Sequence, residues 1–70
     1  MRINDSRIGN RGMPYVSMER NSAGFIVSRE YESIWDFDNE MEMLSKEKKI
    51  IWAKLCNILT GDLVRSFNAQ

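Results

Sequence analysis

The chain has 70 residues, 43% of them hydrophobic, with ten basic and ten acidic side chains, one cysteine and no histidine. A chain this short forms one small domain with a narrow stability margin. The single Cys56 has no intramolecular disulfide partner, and without histidine the chain cannot complete a Cys/His zinc site, so no metal or other cofactor is expected. Missing histidine also removes the commonest general base and the Ser-His and Cys-His nucleophile pairs, and points to a non-enzymatic protein.

The longest uninterrupted apolar run, Ile50 to Ala53, is far below the roughly 18–20 residues that span a bilayer, and Met1 to Gly12 carries charges where a signal peptide has its apolar stretch. A lone thiol fits a reducing compartment, so a cytoplasmic protein is expected, in a host cytoplasm if phage-encoded. Residues 1–13, with Arg2, Arg7 and Arg11 among polar residues and glycines, read as a flexible basic arm. Residues 14–70 read as one small α+β domain.

Two β-prone runs follow, Tyr15 to Arg20 and Phe25 to Glu30, separated by Asn21-Ser22-Ala23-Gly24. This pattern predicts an antiparallel hairpin. Alternation places Val16 and Met18 inward from the first strand, with Phe25 and Val27 answering from the second. A hairpin alone is barely stable, so one face needs cover.

Ser33 and Asp36 have capping-box spacing and predict a helix start. Ile34, Phe37, Met41 and Leu44 then recur at helical spacing, and the pattern continues through Ile51, Leu55 and Ile58, interrupted at Lys48. Two arrangements satisfy it: one long helix to about Thr60 with a heptad seam, or two helices broken at Ser45 that fold over the hairpin. The extra apolar residues Ile50, Trp52, Ala53 and Leu59 favour the second. Gly61 is a candidate helix C-cap, with Leu63, Val64 and Phe67 in a last short turn. The expected fold is therefore α+β, an N-terminal β-hairpin packed by two C-terminal helices or one long kinked helix.

The neutral total hides segregated charge. Residues 1–29 carry net +3, residues 30–44 carry −6 with no base, and residues 45–70 carry +3. Acids near a helix N-terminus are favoured by its dipole, but Asp36 with Glu40 and Asp38 with Glu42 repel at i,i+4. Flanking bases folding back, or a basic partner, would offset that repulsion. The leading expectation is a protein-binding inhibitor or regulator that presents Glu30, Glu32, Asp36, Asp38, Glu40 and Glu42 to the basic, nucleic-acid-binding cleft of another protein. Small phage and mobile-element inhibitors offer an analogy of size and charge.

Trp35 and Trp52 are candidates to fill the core, but Trp35 lies one position off the apolar face and is the candidate interface anchor. Cys56 reads as a small buried hydrophobe. A strand followed by two helices resembles the ribbon-helix-helix repressors, which implies a dimeric DNA-binding regulator as the alternative, with Arg2, Arg7 and Arg11 on phosphates. The turn Leu44-Ser45-Lys46 lacks the glycine usual in that family. A third reading makes the heptad seam a homodimer or homo-oligomer surface.

Overall fold

The computed structural model describes residues 12–69, so most of the proposed basic arm, including Arg2, Arg7 and Arg11, lies outside the described residues. The chain folds as β1 (Tyr15–Asn21), β2 (Ile26–Tyr31), α1 (Ile34–Lys46), β3 (Ile50–Asn57) and β4 (Leu63–Asn68). The four strands form one antiparallel sheet in the order β2-β1-β3-β4, with α1 against one face, an α+β fold. Two local hairpins are thus joined through their inner strands, and the helix is the crossover between them.

Asparagines end both inner strands and shape both hairpin turns. Asn21 Oδ1 accepts from the amides of Ala23 and Phe25, each at 3.0 Å. Asn57 Oδ1 accepts from Leu59 and Thr60 at 2.9 and 3.1 Å. Such side-chain turns let a short polar residue replace backbone pairing. Gly24 and Gly61 take the positive φ of 93° and 76° that these turns need, so Gly61 shapes a hairpin and caps no helix.

Helix α1 begins where expected. Ser33 is its N-cap, and its Oγ accepts from the Asp36 amide at 3.0 Å. Phe37, Met41 and Leu44 form its buried face and meet Tyr31, Ile50, Ala53 and Leu55 from the sheet. The Tyr31 and Phe37 rings pack edge to face, 5.4 Å apart at 89°.

The helix ends at Lys46, and the expected second helix is a strand. Lys48 takes a left-handed φ of 58°, with its amide on the Ser45 carbonyl and the Lys49 amide on that of Leu44. Ile50 to Asn57 then pairs with β1 and β4. Branched and aromatic residues fit a pleated strand, and pairing on both sides rewards that conformation. Ile51, Leu55 and Ile58 shared helical spacing with α1 by coincidence, so the heptad register stops at Lys46 and its inner positions are already spent on the sheet. The last segment, from Leu63, is likewise a strand.

The inward face of β1 is shifted by one residue from expectation, whereas that of β2 is not, Phe25 lying in the turn before the strand. Tyr15, Ser17 and Glu19 face the helix side, while Met18 is 53% exposed and Phe25 69% exposed. Val27, directly across from Glu19, is half-buried on the helix side as expected. A one-residue shift exchanges every side chain between faces, and here a paired polar set takes the inner positions. Irregularities in register beside Ile51 and Val64 bring Ile50 into the core and Val64 against it.

Candidate functional site

Two regions bear on function, the outer face of α1 and a single buried carboxylate with its polar partners near the C-terminal end of the helix. On α1, three- and four-residue steps place Trp35, Asp38 and Glu42 on one outward flank, and Asp36 and Glu40 on the other. Trp35 is 71% exposed, so it fills no core. Trp52 is half-buried on the opposite sheet face, beside Lys54, whose Nζ lies 5.8 Å from the ring centre. Cys56 is half-buried and unpaired on that same face.

The acids do not form one continuous patch. Asp38 pairs with Arg65 of β4 at 3.2 Å, Glu40 with Arg29 of β2 at 3.2 Å, and Glu42 with Lys46 at 3.7 Å. Bases from the flanking segments thus fold back on the acidic block and relieve its repulsion. Glu32 is exposed in the loop before the helix. Glu30, across from Val16, lies on the sheet face away from α1.

The second region centres on Glu19, which is fully buried. Its Oε2 accepts from Ser17 Oγ at 2.6 Å and from the Tyr31 hydroxyl at 2.8 Å. Arg29 Nε lies 3.3 Å from Oε1, close enough for an ion pair, but the alignment is not that of a hydrogen bond and Oε1 has no such partner. A buried acceptor left unmatched costs about 1–3 kcal/mol. Burial first, and then the hydrogen bond to Glu19, push the Tyr31 phenol well above its ordinary pKa and keep it a donor.

A cavity of about 330 Å³ opens beside Glu19, between the β1–β2 turn and the end of α1. Val27, Leu44 and Ile50 supply apolar lining, and Arg29, Lys48 and Lys49 contribute charge. One edge of the cavity is tied by Ser22. The Ser22 amide donates to the Lys49 carbonyl at 3.0 Å, and Ser22 Oγ donates to the Lys48 carbonyl. Among the described residues no cluster of three or more potential metal ligands occurs, and no helix is long and apolar enough to cross a membrane.

Sequence reasoning passed over Glu19, Ser17, Arg29 and Tyr31, because an acid in a strand was assigned to the solvent side. The signal that finds them is reciprocal charge at two-residue spacing. Tyr15, Ser17 and Glu19 on β1 stand against Val27, Arg29 and Tyr31 on β2, with the acid and the base one step apart across the ladder. Compared with protein-family models, with curated proteins and with solved structures, the chain matches none.

Proposed function

We propose that this protein is a non-enzymatic inhibitor or regulator that docks the outer face of α1 into a basic cleft of a partner protein. Trp35 is the apolar anchor, and Glu32, Asp36, Asp38 and Glu42 supply the negative rim. The observation that carries the reading is the 71% exposure of Trp35 on an acidic helix start. A large aromatic held in water on a rigid element gains most when a partner buries it, and tryptophan is among the residues enriched at binding hot spots. Opposite charge around it speeds encounter and fixes orientation. Glu30 and Glu40 contribute to the field, Glu30 from the far sheet face and Glu40 while tied to Arg29. The unpaired Cys56 fits action in a reducing cytoplasm.

The test is affinity capture from the native cell or its host with three baits: the wild type, Trp35→Ala, and the double reversal Asp38→Lys with Glu42→Lys. A partner bound through this face is lost or weakened about 30-fold by Trp35→Ala and is also lost by the reversal, while circular dichroism stays unchanged. A partner retained equally by all three baits excludes the helix face.

A further inference from the structure

We propose that the cavity beside Glu19 binds a small zwitterion, a free α-amino acid with an apolar side chain. Its ammonium group would meet Glu19 Oε1, its side chain would lie on Val27, Leu44 and Ile50, and its carboxylate would sit at Lys48 and Lys49.

Three observations lead to this chemistry. Glu19 is fully buried and keeps one oxygen without a hydrogen bond, although its other oxygen is fully engaged. The neighbouring lining is mainly apolar, and its volume, about 330 Å³, lies at the small end of ligand sites. The remaining charge near the cavity is basic: Lys49 pairs with Glu47 at 3.2 Å, whereas among the described residues no carboxylate pairs with Lys48.

Simple ions satisfy only part of this set. A lone cation meets the positive charge of Arg29, Lys48 and Lys49, and a lone anion leaves Oε1 unmatched. A molecule carrying both charges at one carbon, with an apolar tail, answers every group. Arg29 screens Oε1 in the unliganded protein. Its side chain is half exposed and is also held by Glu40 at 3.2 Å, so it can turn toward Glu40 as the ammonium arrives. The Ser22 contacts to the Lys48 and Lys49 carbonyls tie the turn to the lysine-bearing edge of the cavity. The site shares only the Arg29–Glu40 pair with the α1 face and includes neither Trp35 nor the Asp38 and Glu42 flank, so its occupancy is tested without the protein partner proposed above.

The experiment is a nuclear magnetic resonance titration of the full chain with L-leucine, with its des-amino analogue and with its decarboxylated analogue. Leucine is expected to shift the Val27, Leu44 and Ile50 methyl signals saturably, and each analogue to bind at least about tenfold more weakly. Glu19→Gln tests the floor but risks the fold. Lys48→Gly is the second variant, because glycine suits the left-handed φ of 58° there and the fold is retained. It is expected to weaken leucine about tenfold with the rest of the spectrum preserved. Absence of a saturable shift, equal binding of leucine and its des-amino analogue, or unchanged binding by Lys48→Gly would each overturn the proposal.

Discussion

Glu19 is the residue on which this small core turns. A fully buried carboxylate is costly to desolvate, and here Ser17, Tyr31 and Arg29 offset that cost. Removing it leaves the Tyr31 hydroxyl without its acceptor, Ser17 with only a long contact to the Arg29 carbonyl, and Arg29 with Glu40 as its remaining acid, so Glu19→Ala is expected to lose about 3–5 kcal/mol, which rivals the whole stability of such a domain. Urea denaturation should find no cooperative transition in that variant. Tyr31 gives the pH dependence. Its folded pKa is raised, so its contribution is fully present below the unfolded value of about 10 and is lost as pH rises from there through the folded value. Relative to Tyr31→Phe, the wild type should therefore lose up to about 1.4 kcal/mol per pH unit above about pH 10, as read from urea midpoints across that range. The same residues mark where sequence reasoning stopped. Met18 and Phe25 carried more hydrophobicity than Ser17 and Glu19, and only the cross-strand partners on β2 make the polar set the inner one.

The elements were legible to the degree that local chemistry decides them. Asn21 to Gly24 marked the first turn, and Ser33 marked the helix start, because turn and cap residues act on their own neighbours. Ser33→Ala should accordingly cost about 1 kcal/mol in thermal or urea unfolding. The break at Ser45 fell within one residue of the end of α1, but the segment after it was misread as helix, because a lysine occupies the left-handed position where glycine is usual and the apolar spacing ran on past it. Only pairing with both β1 and β4 makes Ile50 to Asn57 a strand, and that information is distant in sequence. Lys48→Gly relieves the left-handed strain and should raise stability by about 1 kcal/mol. An unchanged or lowered urea midpoint would show that the Lys48 side chain contributes more than its backbone costs.

Across the whole molecule, one helix and one sheet face hold the fold together. Phe37, Met41 and Leu55 are its deepest apolar side chains, and Phe37→Ala should cost about 3–5 kcal/mol, enough to unfold a domain of this size at room temperature. Charge has a different role. Arg29 and Arg65 reach from the two edge strands to opposite flanks of α1 and fasten it across the sheet. Exposed pairs of this kind contribute about 0–1 kcal/mol each and weaken in salt, so they orient the helix more than they stabilise it. The acidic block was visible as a composition shift in sequence. Its division between two flanks was not, because that depends on where β2 and β4 lie.

The location of the Glu19 partners also has a kinetic consequence. Ser17, Glu19, Arg29 and Tyr31 all belong to the first hairpin, so the carboxylate can find its partners within one local unit. Joining β1 to β3 is the long-range event, because α1 must first bridge the two hairpins. Local pairings close fast and distant ones slowly. The buried charge can therefore be neutralised before the slow step seals it away, and a folding chain need not carry a bare carboxylate into its core. Substitutions at Arg29 should then slow folding more than they speed unfolding, whereas substitutions at Phe37 on the bridging helix divide their effect between the two rates.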